Sequence, residues 1–168
     1  MTSHPFENPE VLGMPYAVHA MQTYTMLRER PSKPESRAFL TAVWLVSMQL
    51  MPVEEALEEH GRDAQELGPV MREHWALGYV FGVAARALDE AGVSRESHSA
   101  EDLILQLHRL ALREREERAC TKLSKAALPW PEYAAGMLAG GQDVRSIADE
   151  ELGTQLTEFV RARLGLNA

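Results

Sequence analysis

The run Ala38-Phe39-Leu40-Thr41-Ala42-Val43-Trp44-Leu45-Val46-Ser47-Met48-Gln49-Leu50-Met51 constrains this chain more than any other stretch. Wound as a helix, it shows apolar side chains on nearly every face. It therefore needs neighbours all round, in a protein core or in a membrane. Thr41, Ser47 and Gln49 interrupt it, and it falls short of the roughly 18–20 residues that a bilayer span requires. The run is expected as a central helix of a bundle, over about 35–50.

A second helix is expected at about 69–91, between Gly68-Pro69 and Gly92. It carries Val70, Met71, Trp75, Leu77, Tyr79, Val80, Phe81, Val83 and Ala84. Gly78 and Gly82 lie four apart within it, each costing about 1 kcal/mol relative to alanine in a helix interior. Close approach of another helix would offset that cost. The expected neighbour is the 35–50 helix or a partner subunit.

Elsewhere, prolines and glycines divide the chain. Residues 1–14, with Pro5, Pro9 and Gly13, read as an irregular arm. Pro15 suits a first helical turn. The helix it opens, about 15–30, is expected to bury Ala17, Met21, Tyr24 and Leu27. Arg30-Pro31-Ser32-Lys33-Pro34 breaks the chain. Pro52 opens or kinks into a short acidic helix ending at His60-Gly61, where glycine accepts the left-handed conformation. Ser99 is the expected cap of a helix over about 100–127, stopped by Leu128-Pro129-Trp130-Pro131. A short helix over 132–139, closed by Gly140-Gly141, and one or two helices over 144–164 complete the chain. No alternating β-branched segment bounded by turns is present. The expected fold is an all-α, single-domain bundle of about six to eight helices over 15–168, with the 35–50 and 69–91 helices largely buried at its centre.

Composition bears on function class. A chain of 168 residues that is 45% hydrophobic has the apolar surface for a stable core, which excludes a disordered tract. A net charge of −8 weighs against duplex nucleic acid and anionic membranes as partners. Cys120 is the only cysteine, which precludes an intrachain disulfide and fits a reducing compartment; it is expected as a packed residue. Met1-Thr2-Ser3-His4-Pro5-Phe6 lacks a basic region followed by an apolar run, and the cytoplasm of a bacterial-type cell is the expected location. Two helices apolar on most sides need many neighbours, so a homodimer is expected, with the 1–14 arm able to wrap the second subunit.

Five groups are candidate sites. Glu54, Glu55, Glu58 and Glu59 make a dense acidic helix beside His60. Hard divalent cations take such oxygen ligands, which singles out Glu55, Glu58 and Glu59. Glu55-Ala56-Leu57-Glu58 is an ExxE, and all-α nucleotide pyrophosphatases resemble this in pairing such a motif with a later ExxD. The corresponding Arg86-Ala87-Leu88-Asp89 lacks the first acid, a departure that leaves the family unassigned. Glu73-His74-Trp75 could line a pocket between helices. The glycine pair is the third candidate. Arg109, Arg113, Arg115, Arg118, Lys122 and Lys125 are interleaved with Glu114, Glu116 and Glu117, as on a salt-bridged solvent face. They could also meet the 54–59 acids, within the chain or across a dimer. Val144 to Thr154 faintly resembles a helix-turn-helix, with Gln155, Thr157, Arg161 and Arg163 on the helix that follows.

The leading expectation is a non-enzymatic helical interaction or regulatory module, with a protein partner possible and no cofactor. One rival is a metal- or nucleotide-binding enzyme using the clustered carboxylates. The other is a DNA-binding regulator using the C-terminal segment.

Overall fold

A computed structural model describes residues 5–166. Among these residues there are nine α-helices and no strand. They are α1 (Pro9–Leu12), α2 (Tyr16–Arg28), α3 (Pro34–Glu59), α4 (Leu67–Met71), α5 (His74–Glu90), α6 (His98–Leu112), α7 (Glu117–Ala127), α8 (Pro131–Ala148) and α9 (Gln155–Leu164). Single 3₁₀ turns cover Pro5–Glu7 and Ala64–Glu66. The fold is an all-α bundle with α3 and α5 at its centre, as the apolar runs require.

The core forms where those runs meet. Leu45, Val46, Leu50, Val53 and Leu57 of α3, and Leu77, Tyr79, Val80, Val83 and Leu88 of α5, are all buried. α3 packs on α2, α5, α6 and α9, while α5 packs on α3, α6, α7 and α8. The neighbours that both helices need are thus supplied within one chain, and their burial alone does not call for a second subunit.

Several boundaries differ from expectation, each for a tertiary reason. α3 continues through Pro52 instead of ending near residue 50. Proline forfeits the bond to the carbonyl four residues back, but Val53, Ala56 and Leu57 beyond it are buried and hold the helix on course. The expected 69–91 helix is divided at Arg72 and Glu73 into α4 and α5. The expected 100–127 helix is divided into α6 and α7 at Arg113, which takes a left-handed conformation with φ of 49°. Its guanidinium lies 4.2 Å from the Tyr16 ring and pairs with Glu54 at 2.5 Å, contacts that hold the chain at the break. The cap of α6 is Ser97, whose hydroxyl accepts from the Ala100 N–H at 3.1 Å, rather than Ser99.

The segment 1–14 is not an irregular arm over its described part. Asn8 caps α1 by accepting from the Glu10 N–H at 2.9 Å, and Phe6 and Leu12 are buried in the chain's own core. Residues 1–4 lie outside the described residues. On α2 the buried face is Tyr16, His19, Ala20 and Thr23, so Met21 and Tyr24 of the expected stripe point to solvent.

α8 runs on through Gly140-Gly141, the expected stop, to Ala148. Its glycines meet α5. A Cβ on Gly78 would lie 2.0 Å from the Tyr133 carbonyl oxygen, and one on Gly82 would lie 2.1 Å from that of Met137. Reciprocally, a Cβ on Gly136 would lie 2.0 Å from the Trp75 oxygen, and one on Gly140 would lie 2.2 Å from that of Tyr79. Ascending residues of α5 meet ascending residues of α8, so the two helices run parallel, backbone against backbone. Gly78 and Gly82 therefore pack against α8, not against α3.

Candidate functional site

With α5 and α8 sealed together, the chain between them, α6 and α7, packs less tightly. A cleft of about 590 Å³ opens there. Ile104 and Leu105 of α6 form one wall, Leu128 beyond α7 another, and Phe81 of α5 with Tyr133 of α8 the floor. The Phe81 and Tyr133 rings lie 6.2 Å apart, tilted by 40°. Exposed Glu101 on α6 and exposed Thr121 and Lys125 on α7 bring polar groups to the mouth. Residues 101, 104, 105 and 108, and residues 121, 124, 125 and 128, recur at three- and four-residue steps. Each set consequently lines one helical face.

Two reactive residue types stand in the cleft wall, and both are held in their neutral forms. His108 is buried, with Nδ1 2.7 Å from the Ile104 carbonyl; donation from that nitrogen is the tautomer this geometry favours. Burial lowers its pKa below the usual histidine range. Burial, aided by Glu114, pushes the Cys120 thiol up to about 11. The Cys120 sulfur also lies 3.9 Å from the Glu114 carbonyl oxygen. A thiol held protonated is a poor nucleophile and metal ligand.

The acidic cluster divides. One Glu54 oxygen accepts from the Tyr16 N–H at 2.8 Å, satisfying the first turn of α2, and the other pairs with Arg113. The expected meeting of the basic run with the 54–59 acids thus occurs within the chain, through this one pair. Glu55, Glu58 and Glu59 are exposed. Glu55 and Glu58 share a second cleft with Ala17 of α2. Among the described residues, no group of three or more His, Cys, Asp or Glu side chains is placed to hold a metal ion.

Several other candidates are engaged in packing, whereas Arg115, Arg118 and Lys122 of the basic run are exposed. Glu73 pairs with Arg163 at 2.8 Å, His74 stacks on Trp130 at 5.1 Å, and Trp75 lies between Tyr79 and Phe159 at 5.5 and 4.4 Å. Arg109 is buried, with Glu117 at 2.9 Å and Glu7 at 3.6 Å. On α9, Gln155 donates to the Ala139 carbonyl and to Asp143, and the Thr157 hydroxyl donates to the Gln49 carbonyl at 2.6 Å. Arg161 donates to the Leu166 carbonyl. A recognition helix needs such side chains free at its N-terminal end; here Gln155 and Thr157 dock α9 on α8 and α3, and Arg161 closes the C-terminal end of its own helix.

Two features were not anticipated from sequence. One is the α6–α7 cleft, hidden when 100–127 is read as one helix. The other is Asp143, which is buried and accepts from the Tyr79 hydroxyl at 2.7 Å, from the Gln155 side chain at 2.9 Å and from the Gln155 N–H at 3.3 Å. It caps the first turn of α9 from another helix. Burial and the neighbouring Asp143 carboxylate raise the Tyr79 pKa well above the usual phenol range, so this bond keeps its proton on tyrosine. No helix among the described residues is long and apolar enough to cross a membrane. Comparison of this chain with models of protein families, with curated proteins and with solved structures returns no match.

Proposed function

We propose that this chain is a non-enzymatic helical binding module, and that its binding site is the cleft between α6 and α7. The observation that carries the reading is the make-up of that cleft: an apolar floor and walls of ligand size, with a few polar groups at the mouth. An apolar body would fill the space over Phe81, Leu105 and Tyr133, and a polar end would reach Thr121 or Lys125. The Cys120 thiol, held protonated by burial, is a poor nucleophile, which fits a binding role for this wall of the cleft. The regulatory component of the proposal is that occupancy sets the position of α7, which contacts the bundle chiefly through α5 and α6.

The test uses 1-anilinonaphthalene-8-sulfonate, an apolar fluorophore with an anionic end, titrated into the native protein. Saturable binding is expected, together with its loss in Leu105→Trp, which fills the cleft. Native mass spectra of the protein as purified should show any retained small molecule leaving with the same substitution. Absence of saturable binding, or equal binding by the variant, would refute the assignment.

A further inference from the structure

Among the described residues, α2 buries one face and leaves the other open to solvent. Within the described residues it packs chiefly on α3. Its outer face carries Ala17, Met21, Tyr24 and Arg28, at steps of four, three and four, which makes one stripe along the helix. Met21 is 65% and Tyr24 51% exposed, and neighbouring Met26 is 50% exposed. In a chain of net charge −8, this helix contains no Asp, Glu or Lys, and Arg28 is its only formally charged residue. Most contacts between two copies of so acidic a chain would bring like charges together. The α2 stripe is free of that repulsion.

The ends of the stripe carry opposite charge. Ala17, at its start, shares a cleft with the exposed carboxylates Glu55 and Glu58 of α3. Arg28, at its end, is exposed, and exposed Arg30 follows within two residues. Glu29 projects about 100° round the helix from Arg28, off the stripe. A face that is acidic at one end, basic at the other and apolar between is complementary to its own copy turned end for end. That is the condition for a two-fold, isologous contact.

We infer that α2 is the interface of a homodimer in which the α2 helices of two copies cross antiparallel. A two-fold axis between Gln22 and Thr23 sets Met21 against the partner's Tyr24, and Tyr24 against the partner's Met21. Thioether and ring then meet in a favourable contact on both sides of the axis. The same axis brings Ala17 opposite the partner's Arg28. Each copy's Arg28 consequently approaches the carboxylates Glu55 and Glu58 of the other, and the pair forms twice. The interface is small, so a dissociation constant in the micromolar range is expected. This inference is independent of the cleft and does not rest on its occupancy.

Sedimentation equilibrium from low micromolar to several hundred micromolar protein tests it. The wild-type chain should pass from monomer to dimer across that range. Met21→Glu should remain monomeric, with an unchanged circular dichroism spectrum and thermal midpoint, because the site is exposed. Arg28→Glu should weaken the dimer at least tenfold at low salt. The triple change Arg28→Glu, Glu55→Arg, Glu58→Arg should restore it, since the end-for-end pairing is merely reversed in sign. A monomeric wild type, a Met21→Glu dimer of wild-type strength, or failure of the charge reversal to restore association would each overturn the antiparallel contact.

Discussion

The α5–α8 contact and the α6–α7 contact are both made by helix pairs, but from opposite materials. Four glycines, two on each partner, let α5 and α8 meet backbone to backbone, where Cα–H groups can approach carbonyl oxygens directly. Between α6 and α7, by contrast, Ile104, Leu105, Ser124 and the following Leu128 line open space. α5 is buried on most sides, whereas Cys120 and Ala127 are the buried residues of α7. The first contact has one arrangement. The second leaves room for a guest. Local stability is expected to differ along one chain for this reason, and binding elements come from the less tightly packed end.

The seam should therefore tolerate almost nothing. Gly82→Ala places a methyl group 2.1 Å from the Met137 oxygen, and that oxygen belongs to helical backbone that cannot swing aside. A loss of about 3 kcal/mol or more is expected, read from the urea midpoint at constant slope. Gly141→Ala is the matched control in α8. Its Cβ would meet only the Arg86 Cβ, at 4.0 Å, and helix propensity should make it neutral or stabilising by up to about 1 kcal/mol. Equal effects at the two sites would remove the distinction between seam glycines and ordinary helix glycines.

Next in size is an acid effect that measures how dry the cleft wall stays. His108 is buried, and its pKa is lowered chiefly by that burial. As pH falls through the usual histidine range, the unfolded chain binds a proton that the folded chain resists, so stability is held above that range and lost below it. His19, also lowered by burial, contributes in the same direction. Urea midpoints between pH 7.5 and 5.5 should therefore fall for the wild type and fall less for His108→Gln. An unchanged slope in the variant would mean that water reaches His108 through the cleft.

Much of the architecture could be read from residues, and the exceptions share a cause. The runs 38–51 and 70–84 announce buried helices because their apolar positions recur on every face. Gly78 and Gly82 announce a close contact, because glycine is costly inside a helix without one. Their counterparts Gly136 and Gly140 have the same spacing, but Gly140-Gly141 imitates a helix stop, which masks the match between the two pairs. The α6–α7 break was hidden because Arg113 is an ordinary helix former. It is Glu54 and Tyr16, more than fifty residues away in sequence, that hold it left-handed. On α2, residues 17, 21 and 24 satisfy helical periodicity as well as 16, 19 and 23 do. Only the packing on α3 and the pairing of the Tyr16 hydroxyl with the Leu110 carbonyl at 3.1 Å choose between them.

The smallest expected effect is the most direct measure of the cleft. Leu77 is fully enclosed against the core, and Leu77→Ala should cost about 3 kcal/mol, combining lost transfer energy with the cavity left behind. Leu105 is half-buried and already borders open space. Leu105→Ala leaves no new sealed cavity and forfeits only part of the burial, so a loss under about 1.5 kcal/mol is expected. The two measurements share one substitution and one chain, and they differ only in what surrounds the side chain. If Leu105→Ala costs as much as Leu77→Ala, α7 lies closed on α6 in solution, and the two helix contacts do not differ as their packing implies. If it costs little, the space beside Leu105 is present in the folded protein before any ligand arrives, and binding there need not first displace a packed side chain.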